Sequence, residues 1–353
     1  MGSETGKPVL AITMGDPAGV GPEIIAKAAS HGESRAEARL LVVGDGEIME
    51  RAVAVTRSPL TVRRVTEAAE TGDDPGVLYV LDLANVERDR FCYGELSPMC
   101  GRAAYESVER AIELALRGEV AGTVTAPINK EALKLAGVQY PGHTEIFADK
   151  TGTSDFTMML VHEGLHVVHV STHVPLREAC DLVTRSRVQK VLELGQEALK
   201  RLGIEGPRLA VAGLNPHAGE NGLFGREELD EIIPAIEAAR RRGIDARGPL
   251  SPDTLFPRAA AGEFDCVVAM YHDQGHIPLK LLGFRYDPAA GGFTEVKGVN
   301  VTLGLPIVRT SVDHGTAFDR AGTGEADEAS QVEAIRYAAK LAAHQEGEVY
   351  DRV

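Results

Sequence analysis

Three histidines end apolar runs whose length and composition are typical of buried β-strands. The runs are HVVHVSTH, RLAVAGLNPH and CVVAMYH, and they end at His173, His217 and His272. Ligands in open α/β sheets bind beyond the carboxyl ends of the strands, so the three side chains could meet around one divalent metal and leave a coordination position open for substrate. A single histidine of this kind is more often a structural residue, but its recurrence at three strand ends favours the metal site. Four further histidines are interpreted as structural: His162, His166, His169 and His314.

Asp273 and Lys280, which follow His272 in the sequence, could assist it in catalysis. Asp273 is adjacent in sequence and could orient the imidazole, and Lys280 follows after a short helix-like stretch and could transfer a proton. Taken alone, Lys280 is more often a solvated surface residue.

Two other segments could bind an anion. PGHTE places His143 and Thr144 where a helix begins, and we expect Thr144 to cap that helix while His143 points into the cleft. The alternative is a plain helix cap beside a surface histidine. Asn300 and Arg309 lie near strand ends in an apolar run, and a carboxylate or phosphate would offset the cost of burying the arginine. A buried ion pair with Asp313 is the structural alternative.

The glycines of MGDPAGVGPEII separate a strand from a helix. Gly15, Gly19 and Gly21 match neither the GxGxxG pattern of dinucleotide-binding units nor GxxxxGK[ST]. The segment is therefore assigned to the ligand cleft without a named ligand, and a tight turn is an equally good interpretation.

Strand-like runs alternate with helical patterns through most of the chain, which predicts an α/β fold with a mainly parallel sheet. The predicted strands are Val9–Met14, Leu40–Val43, Val77–Leu81, Val120–Thr125, His166–Val170, Arg208–Ala212 and Cys266–Met270. The predicted helices are Pro22–Ala29, Gly101–Arg117, Thr184–Leu202, Glu227–Arg241 and Ala326–Ala343. The segment Arg285–Lys297 is predicted to be a surface loop, or alternatively a lid over the substrate.

Length and composition limit the classes of function. With 353 residues, 44% hydrophobic and 25% charged, the chain is expected to form two domains or one large α/β unit. No export signal or membrane-spanning run is recognised, and the four cysteines form no CxxC pair, so a reducing cytoplasm is expected. A formal net charge of −15 disfavours nucleic acid and anionic membranes as partners.

Eight motifs, in order from Met14 to about Gly324, resemble those of the 4-hydroxythreonine-4-phosphate dehydrogenase (PdxA) family. They are MGDPAGVGPE, PGHTE, STHVPLRE, GLNPHAGE, GPLSPDTLF, MYHDQG, GVNVTLGLP and RTSVDHGTA. The resemblance implies an isocitrate/isopropylmalate dehydrogenase-like fold of two α/β/α domains with an interdomain cleft. The implied first domain is 1–142 plus 300–353, and the second, 143–299, carries the dimerisation surface and the metal site. The implied assembly is a homodimer whose active sites take metal ligands from both subunits.

The resemblance also implies roles for individual residues. It places metal ligands at His173, His217 and His272, the residues already selected by their position at strand ends. Substrate contacts correspond to His143, Thr144, Lys280, Asn300 and Arg309, and active-site residues to Asp253, Asp273 and Lys280. The implied cofactors are NAD or NADP and a divalent metal, either Zn, Co, Mn or Mg; no cofactor-binding residue is assigned.

The implied reaction is the oxidative decarboxylation of a phosphorylated 3-hydroxy acid to a keto phosphate and carbon dioxide. After MYHDQG the chain reads HIPLKLLGF and then the Arg285–Lys297 insertion, unlike the vitamin B6 biosynthetic enzymes. This pattern is similar to the branch that acts on D-threonate or D-erythronate 4-phosphate. Two alternatives stay open: a metal-dependent decarboxylating dehydrogenase of a cyclic dihydrodiol carboxylic acid, and a non-catalytic protein that binds a phosphorylated metabolite.

Overall fold

The chain folds into two compact units in the computed structural model, which describes residues 6–289 and 292–344. Unit 1 combines the chain up to Ser154 with the segment from Leu305 onward, and unit 2 is Asp155–Gly304. Unit 1 is therefore discontinuous in sequence. No helix among the described residues is long and apolar enough to cross a membrane.

Strands occur in both units. In chain order they are β1 (Val9–Thr13), β2 (Arg39–Gly44), β3 (Thr61–Val65), β4 (Val77–Asp82), β5 (Gly122–Thr125), β6 (Thr157–His162), β7 (Leu165–His169), β8 (Arg208–Ala212), β9 (Asp245–Leu250), β10 (Cys266–Ala269), β11 (Phe284–Asp287), β12 (Gly292–Val296), β13 (Val299–Leu303) and β14 (Arg309–Val312).

Helices connect most of these strands. In chain order they are α1 (Gly21–Ala28), α2 (Gly32–Ala36), α3 (Gly46–Thr56), α4 (Pro98–Leu116), α5 (Lys130–Leu135), α6 (His143–Lys150), α7 (Leu176–Leu182), α8 (Arg185–Arg201), α9 (Ile233–Arg241), α10 (Pro252–Ala260), α11 (His272–Gly283) and α12 (Ala329–Ala343). Short 3-10 turns occupy Ala68–Glu70, Arg88–Arg90 and Pro216–Gly222, and a π-helical turn, Glu228–Ile232, precedes α9.

The sheet of unit 1 is parallel. Its strand order is β3-β4-β2-β1-β5-β14, and every neighbouring pair runs in the same direction. β1 and β5 are buried at every residue, as expected for parallel strands covered by helices on both faces. Because β14 comes from the C-terminal segment, the end of the chain completes the sheet that the beginning starts.

The sheet of unit 2 is also mainly parallel, as predicted, but it contains one antiparallel strand. Its strand order is β13-β6-β7-β10-β8-β9, and β6 runs antiparallel to both β13 and β7. β6 and β7 form a hairpin in which His162 pairs with Leu165. The two turn residues, Glu163 and Gly164, both have positive φ, the conformation that matches the twist of a tight hairpin.

The predicted loop Arg285–Lys297 is also different in the structure. It contributes most of an antiparallel hairpin, β11 with β12, whose connecting residues 290 and 291 lie outside the described part of the chain. Phe293 packs edge-on against Phe284 and Tyr286, with ring centroids 5.7 and 5.4 Å away. Aromatic cross-strand contacts stabilise a hairpin despite its glycines and proline. Its role as a lid stays a prediction.

The boundary between the units lies after residue 154, not at 142/143 as predicted from the sequence. The cause is α6. Ile146 and Phe147 on this helix join a buried cluster with Val108 and Ile112 of α4, so the helix belongs to unit 1. His143 and Thr144 are therefore carried by unit 1.

Candidate functional site

His272 lies directly beyond the carboxyl end of β10 and is the first residue of α11. Its Nδ1 is 2.6 Å from an oxygen of Asp273, and its side chain is about one-third exposed. A carboxylate that accepts from Nδ1 leaves Nε2 deprotonated and available as a metal ligand. The orienting role of Asp273 stays a prediction.

His173 lies near His272 in the same unit. The two ring centroids are 5.6 Å apart. Both rings line an open pocket of about 410 Å³, together with Thr172, Val174, Pro175, Leu176, Ala179, Tyr271 and Asp273. The register of β7 with β10 explains why the rings of His173 and His272 lie close together, because His169 pairs with Ala269 and the two strands end at the same level.

His217 occupies an unusual turn beyond β8. Residues 217–221 all have positive φ, and only one of them, Gly219, is a glycine. Left-handed conformations cost non-glycine residues roughly 1–2 kcal/mol each, so the surrounding structure must hold this turn. The ring is exposed, and its Nδ1 is 2.6 Å from an oxygen of Glu220.

Glu228 holds this turn from inside. Its carboxylate is buried and accepts hydrogen bonds from the backbone N–H groups of Leu214 and Asn215, both at 2.8 Å, and from the Asn215 side chain at 3.0 Å. A Cβ on Gly219 would come within 2.5 Å of the same carboxylate. The left-handed path and the glycine are therefore matched to the position of Glu228.

Gln274 connects the ends of β8 and β10. Its side-chain oxygen accepts from the N–H of Met270 at 2.7 Å, and its amide nitrogen donates to the carbonyl of Gly213 at 2.8 Å. Because the side chain is buried, both bonds are shielded from water. Gln274 thus ties the loop that leads to His217 to the strand that ends at His272.

The described residues of a single chain contain no group of three or more His, Cys, Asp or Glu side chains able to hold a metal. His173 and His272 form a pair, and His217 is not part of it. Two adjacent imidazoles that open on a pocket are a donor set that suits a divalent metal such as Zn²⁺. The third ligand, and the predicted shared site of a dimer, stay predictions.

Asp253 lies in the first turn of α10. The hydroxyl of Ser251 donates to its carboxylate at 2.5 Å and lowers its pKa below the usual 3.8, with a smaller contribution from His217. Asp253 is therefore an exposed, ionised carboxylate within electrostatic reach of His217, and its role as an active-site aspartate stays a prediction.

Lys280 and Asn300 are the other predicted site residues in unit 2. The ammonium of Lys280 is 5.1 Å from the ring centre of Phe284. Asn300 on β13 directs its amide nitrogen to the sulfur of Met158 at 2.8 Å, and its buried oxygen has no hydrogen-bond partner among the described residues. Neither position tests the predicted substrate contact.

A second histidine on α11 was missed by the sequence analysis. His276 stacks on His272 with ring centroids 3.6 Å apart, and the buried ring of His169 lies 4.8 Å from the ring of His276. Burial, together with neighbouring histidines, lowers the pKa of His276 to about 3 and of His169 to about 4. The separation of four residues from His272, one helical turn, could have revealed His276.

Arg309 and His143 form the anion-binding candidate of unit 1. Arg309 on β14 is only 3% exposed, donates to the hydroxyl of Thr125 at 2.9 Å, and lies 5.6 Å from the ring centre of Phe147. Burial lowers the pKa of this guanidinium to about 10, partly opposed by Glu145. The group stays charged at neutral pH, which suits an anionic ligand.

His143 begins α6. Burial, and secondarily the charge of Arg309, hold the pKa of His143 well below 6.5, so the ring is neutral. Its Nε2 is enclosed and has no hydrogen-bond partner among the described residues. The prediction that Thr144 caps the helix is wrong: the cap is Gly142, and Thr144 is the second helical residue. Gly142 leaves the first N–H groups of α6 without a side-chain cap.

Asp16, in the glycine-rich segment after β1, is buried and was not singled out by the sequence. One oxygen accepts from the N–H of Ala18 at 2.9 Å, and the other has no hydrogen-bond partner among the described residues. Burial raises the pKa of this carboxyl to about 6. Gly15, with φ of 75°, is needed here because a Cβ would collide with the carbonyl of Pro127.

Comparison with known proteins places the chain among dehydrogenases. It is 49% identical over 334 residues to D-threonate 4-phosphate dehydrogenase of Salmonella typhimurium, covering 94% of this chain and 98% of the relative. The crystal structure of 4-hydroxythreonine-4-phosphate dehydrogenase from Klebsiella pneumoniae matches with a TM-score of 0.83 and 45% identity, covering 96% of this chain and 99% of the other.

A more distant structure is also similar. A terephthalate 1,2-cis-dihydrodiol dehydrogenase from Burkholderia xenovorans matches with a TM-score of 0.67 and 31% identity over 95% of this chain and 98% of the other. The family model described as pyridoxal phosphate biosynthetic protein PdxA matches residues 36–338. From the two-unit α/β fold, the strand-end histidines and these matches together, the chain belongs to the PdxA family.

Proposed function

We propose that the chain is an NAD(P)-dependent dehydrogenase that oxidises and decarboxylates a phosphorylated 3-hydroxy acid of the D-threonate 4-phosphate type. The observation that carries the proposal is the pair of imidazoles, His173 and His272, that opens on one pocket at the ends of neighbouring strands. The relative in Salmonella typhimurium bears the name of this activity and matches over nearly the whole of both chains.

The chemistry balances as follows. The hydroxyl on C3 loses a proton and C3 gives a hydride to NAD(P)⁺, which is thereby reduced. The 3-keto acid then loses its carboxylate as carbon dioxide, the electron pair moves towards the ketone, and C2 takes up a proton. D-threonate 4-phosphate would yield dihydroxyacetone phosphate by this route, and D-erythronate 4-phosphate would give the same product.

A divalent cation held by His173, His217 and His272 would supply a Lewis acid for charge that develops on the substrate's 3-oxygen. Imidazole ligands suit Zn, Co or Mn more than Mg. Asp273 keeps Nδ1 of His272 occupied and so leaves Nε2 free to bind. His217 is the ligand that we assign to the second subunit of a homodimer.

Protein groups perform the remaining steps. Lys280, on the same helix as His272, is assigned the proton delivered to C2, and Asp273 and Asp253 are assigned as further active-site carboxylates. In unit 1, the charged guanidinium of Arg309 and the neutral ring of His143 are assigned to the anionic ends of the substrate, with Thr144 at the helix start. Asn300 is assigned a further substrate contact.

A second candidate is a cyclic dihydrodiol carboxylic acid, favoured by the structural match to the Burkholderia xenovorans enzyme. Such a substrate carries a carboxylate but no phosphate. A non-catalytic protein that only binds a phosphorylated metabolite is the remaining alternative, and it would leave Lys280 without a function.

The test is a substrate panel assayed for NADH or NADPH and for carbon dioxide. It contains D-threonate 4-phosphate, D-erythronate 4-phosphate, 4-phospho-hydroxy-L-threonine, unphosphorylated D-threonate and a cyclic dihydrodiol carboxylate. We expect equal amounts of reduced cofactor and carbon dioxide from a phosphorylated acid, and loss of both with chelator or His272→Ala. Turnover of the unphosphorylated cyclic acid alone would favour the second candidate, and ligand binding without reduced cofactor would favour the non-catalytic one.

A further inference from the structure

His276 is held against the flat face of His272. The two ring planes are inclined by only 12°, with centroids 3.6 Å apart. Nδ1 of His276 donates to the main-chain carbonyl of His272 at 2.9 Å, one turn earlier on the same helix. His276 is 6% exposed, so its ring is fixed by packing and by a hydrogen bond.

His169 also packs against His276. This ring is fully buried, with its centroid 4.8 Å from that of His276 and its Nδ1 3.3 Å from the carbonyl oxygen of Met158. Gly275 provides the space for it, since a Cβ there would collide with Nε2 of His169. His276 is thus in contact with both a core histidine and a histidine that faces the pocket.

From this stack we infer that His276 is a positioning residue that fixes the ring plane of His272. The inference rests on the proposed metal-binding function of His272. Asp273 accepts from Nδ1 of His272 and sets its tautomer, but one hydrogen bond leaves the ring free to tilt about that contact. A parallel ring at 3.6 Å removes that freedom, so less conformational entropy is lost when the imidazole binds a cation.

Two substitutions separate the ring from its hydrogen bond. His276→Phe keeps a flat ring and loses the donor to the carbonyl of His272, whereas His276→Gln keeps a donor and loses the ring. The same two substitutions at His31 are the matched control. His31 is exposed, lies in unit 1 and forms a hydrogen bond with Glu328 at 2.9 Å. Its replacement therefore removes a histidine without changing α11.

The measurement is the affinity of the full-length chain for Co²⁺ and Zn²⁺, by competition with a chromophoric chelator, together with the visible spectrum of the Co²⁺ form. We expect His276→Gln to bind about 10- to 100-fold more weakly with a changed spectrum, as for other residues that orient metal ligands. His276→Phe and both His31 variants should stay close to the unmodified chain. Should His276→Gln fail to fold, His276→Met supplies a side chain of similar volume without a ring.

Each outcome bears on the inference. Equal affinities and spectra for all His276 variants, in a chain whose cation binding is lost with His272→Ala, would overturn the positioning role and leave the proposed function standing. Weaker binding by His276→Phe, with His276→Gln unchanged, would assign the effect to the hydrogen bond and overturn the role of the ring. Failure of the unmodified chain to bind either cation, or binding untouched by His272→Ala, would reject the metal function and this inference with it.

Discussion

Arg309 shows how one residue can indicate a function from sequence. An arginine in an apolar run predicts a buried charge that needs an anion, and the side chain is indeed almost fully enclosed. The sequence could not show that the hydroxyl of Thr125 and the ring of Phe147 would lie beside it, because those contacts depend on how a strand and a helix distant in sequence pack against β14. Nor could it show that His143 is neutral.

Asp16 gives a prediction about stability and pH. Its carboxyl has a pKa of about 6 in the folded chain against an ordinary value of 3.8, so the folded state binds the proton more tightly. Stability from this group is therefore present at low pH and is lost as pH rises from about 3.8 to about 6. Asp16→Asn removes the ionised form, and we expect it to stabilise the chain by about 1–3 kcal/mol at pH 7.

The measurement is the urea unfolding midpoint of Asp16→Asn and the unmodified chain between pH 4 and pH 8. The difference should be small at pH 4 and should reach its full size above pH 6. Asp89→Asn, at an exposed position, is the control and should show no such trend. A difference of the same size at every pH would contradict the assigned burial of an ionisable Asp16.

At the level of elements, the sequence identified many of the buried strands but missed β6, which is buried at every residue. The predicted strand Arg208–Ala212 is confirmed at both ends. β3 was missed because most of its residues are exposed and two are arginines, and β9 because it contains Gly248 and Pro249, residues that usually end strands. The helical stretch after His272 was expected, but its full extent as α11 was obscured by Pro278.

Part of the candidate site was predictable because apolar strands can be recognised in the sequence. The position of His173 and His272 follows from two apolar strands that end side by side, which hydrophobic runs reveal. The supports of the site, Glu228 and Gln274, could not be found in this way. Their partners are backbone groups in loops, and the left-handed turn at His217 has no simple sequence signature.

The turn that carries His217 should depend on Glu228. Glu228→Ala would leave the buried N–H groups of Leu214 and Asn215 without their acceptor, which costs roughly 1–3 kcal/mol for each group. We expect a lower urea unfolding midpoint and weaker cation binding. Glu227→Ala is the matched control, since Glu227 is more exposed and bonds the side chain of Asn215, so its removal should change both quantities little.

The comparison is made by urea unfolding and by chelator competition with Co²⁺. Normal cation affinity in a stably folded Glu228→Ala variant would show that the turn at His217 does not need this carboxylate. Equal decreases in stability and cation affinity for both variants would point to a general effect of removing acidic residues from this loop.

At the scale of the whole molecule, unit 2 has several large apolar side chains that are exposed to solvent. Among them, Leu281 is 80% exposed, Leu223 70% and Ile277 64%. Exposed apolar residues that cluster in one part of a chain are typical of a subunit interface. They support the predicted homodimer, in which His217 of one copy would complete the metal site of another.

Mixed dimers test whether the two subunits share the metal ligands of one site. Subunits with His173→Ala and subunits with His217→Ala, co-expressed with different tags, should each be inactive alone. If the ligands come from different subunits, a mixed dimer has one intact site, and random mixing should restore roughly a quarter of full activity. Activity that stays at the level of the single variants, with mixed dimers verified by tandem purification, would show that each subunit supplies all its own ligands.

The most direct measurement is a crystal structure of the Zn²⁺-loaded chain with anomalous data collected at the zinc edge. We expect one anomalous peak about 2.0–2.1 Å from nitrogens of His173, His272 and a His217. A peak bound by other residues, or full zinc occupancy with His217 turned away from it in every copy, would contradict the proposed metal site.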